Sequence, residues 1–205
     1  MSCPTSDFTI KKGSTFSRVL RWESSPLVYK AITAITKAAP AVVTATGHGL
    51  PDGWRAAIVS VVGMREINAA VPSKGAPPLS SEFHKITKID ANSFSINDIN
   101  SSDFTAYTSG GAVVYYTPVD LASYTARMQI RDTETSGIIL LSLTTENSRI
   151  AIDNTAKTIT LTINAIDTAA IMFTAGVFDL ELVSPGSVVT QLLKGNIIIE
   201  EEVTK

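Results

Sequence analysis

The stretch YTARMQIR at residues 124–131 decides the fold class of this 205-residue chain. Apolar and polar side chains alternate along it without a break. One set comprises Tyr124, Ala126, Met128 and Ile130, and the other comprises Thr125, Arg127, Gln129 and Arg131. A period of two residues is typical of a β-strand with one buried and one solvated face, because successive side chains of a strand point to opposite sides. The stretch therefore predicts a strand at the surface of a core.

The same alternation recurs in KTITLTINA (157–165) and VFDLELV (177–183). Abundant threonine and β-branched residues in these stretches also favour strands. NIIIEEEV (196–203) predicts a last strand whose charged face discourages edge pairing. Helical signals are rare. In IDTAAIMF (166–173), Asp167 or Thr168 is expected to cap one or two turns, so a single short helix is predicted near 167–173.

Composition limits the classes of function. Apolar residues make up 44% of the chain, which is normal for a globular protein with a core. A net charge of −2 with scattered basic residues predicts no nucleic-acid partner. The only cysteine, Cys3, permits neither an intrachain disulfide nor a CxxC motif. No apolar run approaches the roughly 20 residues that cross a bilayer, and no signal-peptide pattern stands at the start. We expect a soluble, non-secreted protein without membrane insertion.

Two shifts in composition predict the domain organisation. Residues 30–116 are rich in Ala, Val, Thr, Ser and Asn, whereas the flanking segments are more charged and alternate more regularly. The first flank offers about two strands, which is too few to bury a core. We therefore expect residues 1–28 and 117–205 to form one discontinuous domain, with 30–116 inserted as a separate module at an exposed turn.

The flanking segments carry a recognisable pattern, in DFTIKKGSTFSRVLRW (7–22), PVDLASYTARMQIRD (118–132) and the region from 158 onward. They resemble a small β-domain family encoded among bacteriophage tail genes. The matching positions are Gly13, Thr15, Phe16, Trp22, Asp120, Leu121, Tyr124, Ala126, Ile130, Arg131, Asp179, Leu180, Glu181, Leu182, Gly186, Val188, Leu193 and Gly195. In typical members the tryptophan strand leads almost directly into the "D-L" segment, so the intervening residues here imply an insert.

The insert has a resemblance of its own, carried by residues 32–69 and 84–114. It looks like the small β-barrel module that is similar to the first catalytic-cysteine half-domain (FCCH) of ubiquitin-activating enzymes, and that is found in phage tail proteins. The matching positions are Ala41, Val42, Val43, Thr44, Gly47, His48, Gly49, Leu50, Gly53, Val62, Gly63, Met64, Ile67, Asn68, Phe94, Tyr107, Gly110 and Gly111. The insert contains no cysteine, so the resemblance implies a fold and not a reaction. Together the patterns predict an all-β chain, namely an antiparallel, immunoglobulin-like β-sandwich with an inserted small β-barrel module and one short helix.

The stretch ATGHGLPDG (45–53) is the strongest candidate for a site. A phosphate loop is disfavoured because neither GxGxxG nor GK[ST] is present. A catalytic His48 would need a nucleophile and an orienting acid, and only Asp52 is close in sequence. A metal site would need His84 with Asp90 or Asp98. We expect instead a structural corner, in which Gly47, Gly49 and Gly53 supply turn conformations, His48 forms a hydrogen bond across the corner and Leu50 enters the core.

The expected contact regions are the proline-rich loop 71–81, the terminal strand 196–205 and the N-terminal arm. The candidate partner-contact residues are Lys74, Pro77, Pro78, Leu79, Ile197, Ile199 and Val203. No catalytic, cofactor-binding or metal-ligating residue is predicted, and no enzymatic activity is expected.

The resemblances imply a structural component of a tailed-bacteriophage virion, acting as a tail, baseplate or tail-fibre adaptor protein. Its expected partners are other tail proteins and copies of itself, and its expected location is the host cytoplasm before assembly and the virion tail afterwards. The alternative is a module that binds a host-surface carbohydrate, with Trp54, Tyr107 or Tyr115 as stacking platforms.

Overall fold

The computed structural model describes residues 3–73 and 75–202. The chain forms two compact units. Residues Met1–Trp22 and Asp120–Lys205 make up the first, here called the split unit, and Glu23–Val119 make up the middle unit. The division therefore falls at 22 and 120, whereas the sequence placed it at 28 and 117. The difference arises because residues 23–28 belong to a long strand that pairs within the middle unit.

Strands account for almost all regular structure, which confirms the all-β fold class. In chain order the elements are β1 (Phe8–Lys11), β2 (Phe16–Leu20), β3 (Glu23–Ala31), β4 (Ala34–Ile35), β5 (Ala41–Thr44), β6 (Arg55–Val62), β7 (His84–Lys88), β8 (Ser93–Ile96), β9 (Ser109–Pro118), β10 (Thr125–Arg131), β11 (Ile139–Thr144), β12 (Ile150–Asp153), β13 (Thr158–Ile163), α1 (Ala165–Ala169), β14 (Ala175–Val183) and β15 (Val189–Glu200).

The split unit is a β-sandwich. Within its described residues, one sheet has the order β1-β15-β14-β10-β11 and the other the order β12-β13-β2. The alternation predicted from sequence is confirmed, because the apolar positions of β10, β13 and β14 are buried and their neighbours are not. These buried positions are Ala126, Met128, Ile130, Ile159, Leu161, Ile163, Phe178, Leu180 and Leu182. Rings from both sheets meet in the core: Phe8 lies 5.8 Å from Phe16 and stacks on Phe178 at 4.9 Å, measured between ring centroids.

The N-terminal segment covers one side of β15. β1 pairs with β15 in parallel, with Phe8 opposite Ile197 and Lys11 opposite Glu200. Farther back, Lys194 N–H donates to the Pro4 carbonyl at 3.1 Å. β14 occupies the other side of β15. The last strand is therefore an interior strand of its sheet. Its hydrogen-bonding groups are used within the chain, because residues 4–11 supply the pairing that a partner would otherwise offer.

The short helix starts earlier than the sequence indicated. α1 spans Ala165–Ala169, and its N-cap is Asn164, whose side chain accepts a hydrogen bond from Asp167 N–H at 2.8 Å. The expectation that Asp167 or Thr168 caps the helix is wrong. Thr168 is fully buried and donates its hydroxyl proton to the Ser14 carbonyl or the Ala165 carbonyl, both 2.9 Å away. Asn164 is the better cap because an Asn side chain reaches the free N–H groups of the first turn.

The middle unit is barrel-like. Within its described residues the strand order is β3-β9-β6-β7-β8-β5-β4. The two end strands of this order, β3 and β4, are separated in the chain only by Ile32 and Thr33. Ile32 N–H donates to Gly111 of β9, and Thr33 N–H donates to Thr44 of β5. One bent segment thus bridges both ends of the curved sheet. The enclosed core includes Trp54, Phe94, Met64 and Leu50, all 0% exposed.

Gly195 provides a test of how tightly the N-terminal segment packs on β15. A Cβ atom at Gly195 would lie 2.0 Å from the Ser6 carbonyl oxygen, which is a backbone atom that cannot move aside cheaply. We expect Gly195→Ala to lower the free energy of unfolding of the split unit by about 2 kcal/mol or more through strain and loss of this pairing. Gly137→Ala is the matched control, because nothing lies within 4 Å of a Cβ there. Urea unfolding of both variants measures the difference, and equal midpoints would contradict the packing described.

Candidate functional site

The corner at residues 47–53 is built around a buried histidine. Gly47, Gly49 and Gly53 have φ of 59°, 71° and 68°, the left-handed region that glycine adopts without steric cost. His48 is 0% exposed, and its ring meets Phe94 edge-to-face at 5.2 Å between centroids. Leu50, also 0% exposed, enters the barrel core. Ring packing and turn geometry together fix the path of the chain from β5 towards β6.

Both ring nitrogens of His48 are used. Leu50 N–H donates to Nδ1 at 3.0 Å, so Nδ1 carries no proton. Nε2 lies 3.1 Å from the Asp90 carbonyl oxygen and therefore carries the proton. The His48 carbonyl in turn accepts a hydrogen bond from the Tyr115 hydroxyl. Burial lowers the pKa of His48, and this outweighs the opposing effect of the bond to Asp90. The neutral ring has a structural role: both of its nitrogens have hydrogen-bond partners within the chain, and no lone pair is left for a substrate or metal.

The other residues proposed for chemistry at this corner have separate contacts. His84 Nδ1 lies within hydrogen-bonding distance, 2.8 Å, of Asp98 Oδ2, and both side chains are partly exposed. The Asp90 carboxylate accepts from the N–H groups of Asn92 and Ser93, and these bonds lower its pKa. Asp52 accepts from Lys88 N–H at 2.9 Å. Among residues 3–73 and 75–202, no group of three or more His, Cys, Asp or Glu residues could hold a metal ion.

The loop at 71–81 is only partly available to a partner. Pro77 is exposed and Leu79 is 44% exposed, but Pro78 is buried. Lys74 lies outside the described residues. The base of the loop is closed by a bond from Leu79 N–H to the Ala70 carbonyl at 3.2 Å. Pro78 therefore has to be removed from the predicted contact set, because its ring packs against this chain.

The terminal strand requires a larger correction. Ile197 and Ile199 are 0% and 9% exposed, so their side chains belong to the sandwich core and are not available as partner contacts. Ile198, which alternates with them, is 54% exposed. Val203 lies outside the described residues. Residues 197–199 are three consecutive isoleucines, and alternation alone therefore did not reveal which of them face inward.

Two of the three aromatic platforms predicted for a carbohydrate are buried, and the third, Tyr107, is partly buried. Trp54 is 0% exposed and its Nε1–H donates to the Tyr116 carbonyl at 3.0 Å, and Tyr115 is 3% exposed. The hydroxyl of Tyr107 lies 3.1 Å from the Ile32 carbonyl and 3.0 Å from the Gly110 carbonyl, within donating distance of both. These rings support the barrel. A sugar cannot stack on Trp54 or Tyr115 without unfolding the middle unit.

A surface recess lies on the split unit. The outward face of β10, β14 and β15 forms the floor of a groove of about 780 Å³, with Thr5 and Glu134 at its sides. Its polar lining comprises Arg127, Gln129, Arg131, Asp179, Glu181, Gln191, Lys194 and Asn196. We call this recess the polar groove. Three of its described side chains are basic and three are acidic, so its formal charge is balanced.

Side chains in the polar groove are linked across strands. Arg127 Nε donates to Glu181 Oε2 at 2.7 Å, from β10 to β14. Lys194 Nζ lies 3.9 Å from Glu134 Oε1. Arg131 donates to Gln129 Oε1 at 2.7 Å and to the Ser136 carbonyl. Such a surface offers donors and acceptors to a polar ligand, and two of its three basic side chains lie against acidic ones.

Sequence reasoning identified the strand faces of this groove but not the groove itself. Arg127, Gln129 and Arg131 were assigned to one solvated face, and the alternation in VFDLELV puts Asp179 and Glu181 on another. The two faces become one surface because β10 and β14 pair with Arg127 opposite Glu181. Opposite charges at these positions were the available signal, since such cross-strand pairs are favourable in antiparallel sheets.

Comparison with known proteins bears on the middle unit. Residues 38–116 match the sequence model of the ubiquitin-activating enzyme E1 FCCH domain. The matched segment runs from just before β5 into β9 and covers less than half of the chain. It contains the His48 corner and most of the barrel strands. The prediction of an FCCH-like module is thereby confirmed. No curated protein matches the chain. Within its described residues, the structure also has no helix with the length and hydrophobicity needed to span a membrane.

Proposed function

We propose that the protein is a structural component of a tailed-bacteriophage virion. In this proposal it is made in the host cytoplasm and joins neighbouring subunits of the tail, the baseplate or a tail-fibre adaptor. The support comes from the resemblance of the flanking segments to the phage tail family. The structure gives those residues a shared physical role, because most apolar positions that carry the resemblance form the core of a single unit. Those that are buried are Phe16, Leu121, Ala126, Ile130, Leu180, Leu182 and Leu193.

The strongest support for the proposal is the close packing at Gly195. This glycine belongs to the resemblance, and in this chain only a glycine fits there, since the Ser6 carbonyl oxygen would lie 2.0 Å from a Cβ. The resemblance thus includes a position at which glycine is required because the N-terminal segment packs closely along β15. Two β units with extensive strand pairing and buried cores suit a protein that holds neighbours in place, because preorganised surfaces lose little conformational entropy on docking.

The test is to locate the chain in particles. We expect the protein, detected by mass spectrometry, to co-sediment with virions purified from a lysate of host cells that produce the phage encoding it. A stop codon placed in its gene should give particles that lack the protein and have defective tails. Abundant protein in the lysate with none in purified particles would contradict the proposal.

A second proposal places a host-surface carbohydrate in the polar groove. The observation that favours it is the density of carboxylate, amide and guanidinium groups across β10, β14 and β15, which can exchange hydrogen bonds with sugar hydroxyls. Binding to a glycan array or to host cells by the purified protein would support it. We expect Asp179→Asn with Gln191→Ala to abolish that binding, with Asn92→Ala in the middle unit as the control. Binding that survives the groove variant would exclude the groove.

A further inference from the structure

A second recess, distinct from the polar groove, lies between β11 and the segment that follows α1. It has a volume of about 500 Å³, and its apolar lining includes Leu140, Leu141, Ile171 and Phe173. Large apolar side chains around it are exposed to an unusual degree. Ile139 and Met172, which line the recess, are 46% and 93% exposed, and Ile138 and Ile166, each next to a lining residue in the chain, are 68% and 82% exposed. We call this recess and its four exposed neighbours the apolar patch. Contiguous apolar surface of this kind marks interaction sites in soluble proteins.

The neighbouring backbone restricts how a partner can bind. β11 is an edge strand of the described five-stranded sheet, so strand addition would be the ordinary expectation. However, the Asn147 side chain already bonds to two backbone groups of this edge that an added strand would use. Its Nδ2 donates to the Ser142 carbonyl at 3.1 Å and its Oδ1 accepts from Thr144 N–H at 2.9 Å. Arg149 also donates to the Ser142 carbonyl. The end of the edge at Ser142 and Thr144 is therefore closed to strand addition, and a partner that contacts this end has to recognise side chains.

The charges at the patch indicate which partner fits. Arg149 and Asp167 line the same recess and pair with each other at 2.7 Å, with about a third of each side chain exposed. A patch with one base and one acid is complementary to its own copy, since a two-fold axis brings the base of each copy towards the acid of the other. Met172 lines the recess and is 93% exposed, so the same patch offers both a projecting side chain and an apolar recess to a second copy.

We propose that the apolar patch is the contact by which two copies of this chain form a two-fold symmetric dimer. Met172 of each copy enters the apolar recess of the other, and the Arg149–Asp167 pairs line the rim of the contact. The inference deepens the proposed function, because it names the surface through which subunits associate, but it is tested in solution and without particles. A stable interface buries about 800 Å² on each partner, so residues around the patch also contribute.

Sedimentation velocity of the full chain over a wide range of concentrations tests the proposal. We expect a monomer–dimer equilibrium, and Met172→Asp should weaken it at least about 10-fold, since a carboxylate would be buried at the centre of the contact. Val19→Asp is the matched control, because Val19 is 56% exposed on β2 of the same unit. It should leave the equilibrium unchanged. Circular dichroism checks that both variants are folded, as expected for such exposed positions.

Each outcome decides the proposal. Dimers weakened by Met172→Asp and unaffected by Val19→Asp support it. A monomer at every concentration, or a dimer equally stable in both variants, overturns it. Failure here would leave the particle test untouched, because a virion protein can contact neighbours through other surfaces. Conversely, absence from particles would leave a measured dimer in place.

Discussion

Replacing Trp54 by alanine is expected to destabilise the middle unit strongly and to leave the stability of the split unit unchanged. Trp54 is 0% exposed at the centre of the barrel core, and its indole N–H is bonded to the Tyr116 carbonyl. Truncating a buried tryptophan costs about 3–5 kcal/mol through lost burial and the cavity left behind. Because small domains are stable by about 5–15 kcal/mol, the variant loses a large fraction of the stability of this unit.

The chain offers a built-in reporter for this experiment. It has two tryptophans, and the one that remains, Trp22, lies in the split unit next to Tyr124. Hydrogen exchange should show loss of protection in β5, β8 and β9 and retained protection in β13 and β14, with cooperative unfolding still visible in Trp22 fluorescence. Tyr29→Ala, at a barrel position that is 56% exposed, should change stability by no more than about 0.5 kcal/mol. Retained protection in the barrel of the Trp54 variant would contradict this account of its core.

The stability of the middle unit is expected to fall as the pH is lowered below about 6.5. The folded state lowers the pKa of His48 from its ordinary value of 6.5 because the ring is buried. Below 6.5 the unfolded chain therefore binds a proton that the folded chain resists. The contribution of His48 is fully present above 6.5 and is lost as the pH falls towards the folded-state pKa. Protonation at Nδ1 would also place a second donor against Leu50 N–H.

Two variants separate this effect from general acid instability. His48→Gln should destabilise the unit at neutral pH by about 2 kcal/mol, because Leu50 N–H and the Asp90 carbonyl lose their partner, and should remove the slope just below pH 6.5. His84→Gln keeps His48 and should keep the slope. The Asp90 carboxylate, whose pKa is lowered from 3.8, acts in a more acidic window. Denaturant unfolding at a series of pH values measures the slopes, and identical pH profiles for wild type and His48→Gln would exclude this role for the histidine.

Local periodicity predicted much of this structure. Alternation at 126–130, 159–163 and 178–182 corresponds to burial in the sandwich, because side-chain direction in a strand depends only on parity. The positive φ values of the glycines around His48 match the predicted turn. This could be predicted because the backbone conformation of a turn depends on residues close in sequence. The all-β class and the FCCH-like module were therefore accessible from sequence.

Features set by long-range pairing were not accessible. β1 pairs with β15 although the two strands lie near opposite ends of the sequence. The sequence around 196–199 therefore indicated neither that the edge of the last strand is covered nor that Ile197 and Ile199 are buried. Trp54 and Tyr115 looked like platforms because an aromatic residue gives no local sign of whether it faces a core. The apolar patch was missed for a related reason: Met172 was placed inside a predicted helix, but α1 ends at Ala169.

The central claim is that two distant segments fold into one sandwich and that the middle unit is a separate insertion. The ends of the middle unit are neighbours, since Glu23 of β3 pairs with Pro118 of β9, and a short Gly/Ser linker can therefore join Trp22 to Asp120. We expect this shortened protein to unfold in one cooperative transition in urea, with β-type circular dichroism and slow exchange in β13 and β14. A shortened protein that shows no cooperative transition and no protected amides would contradict the claim.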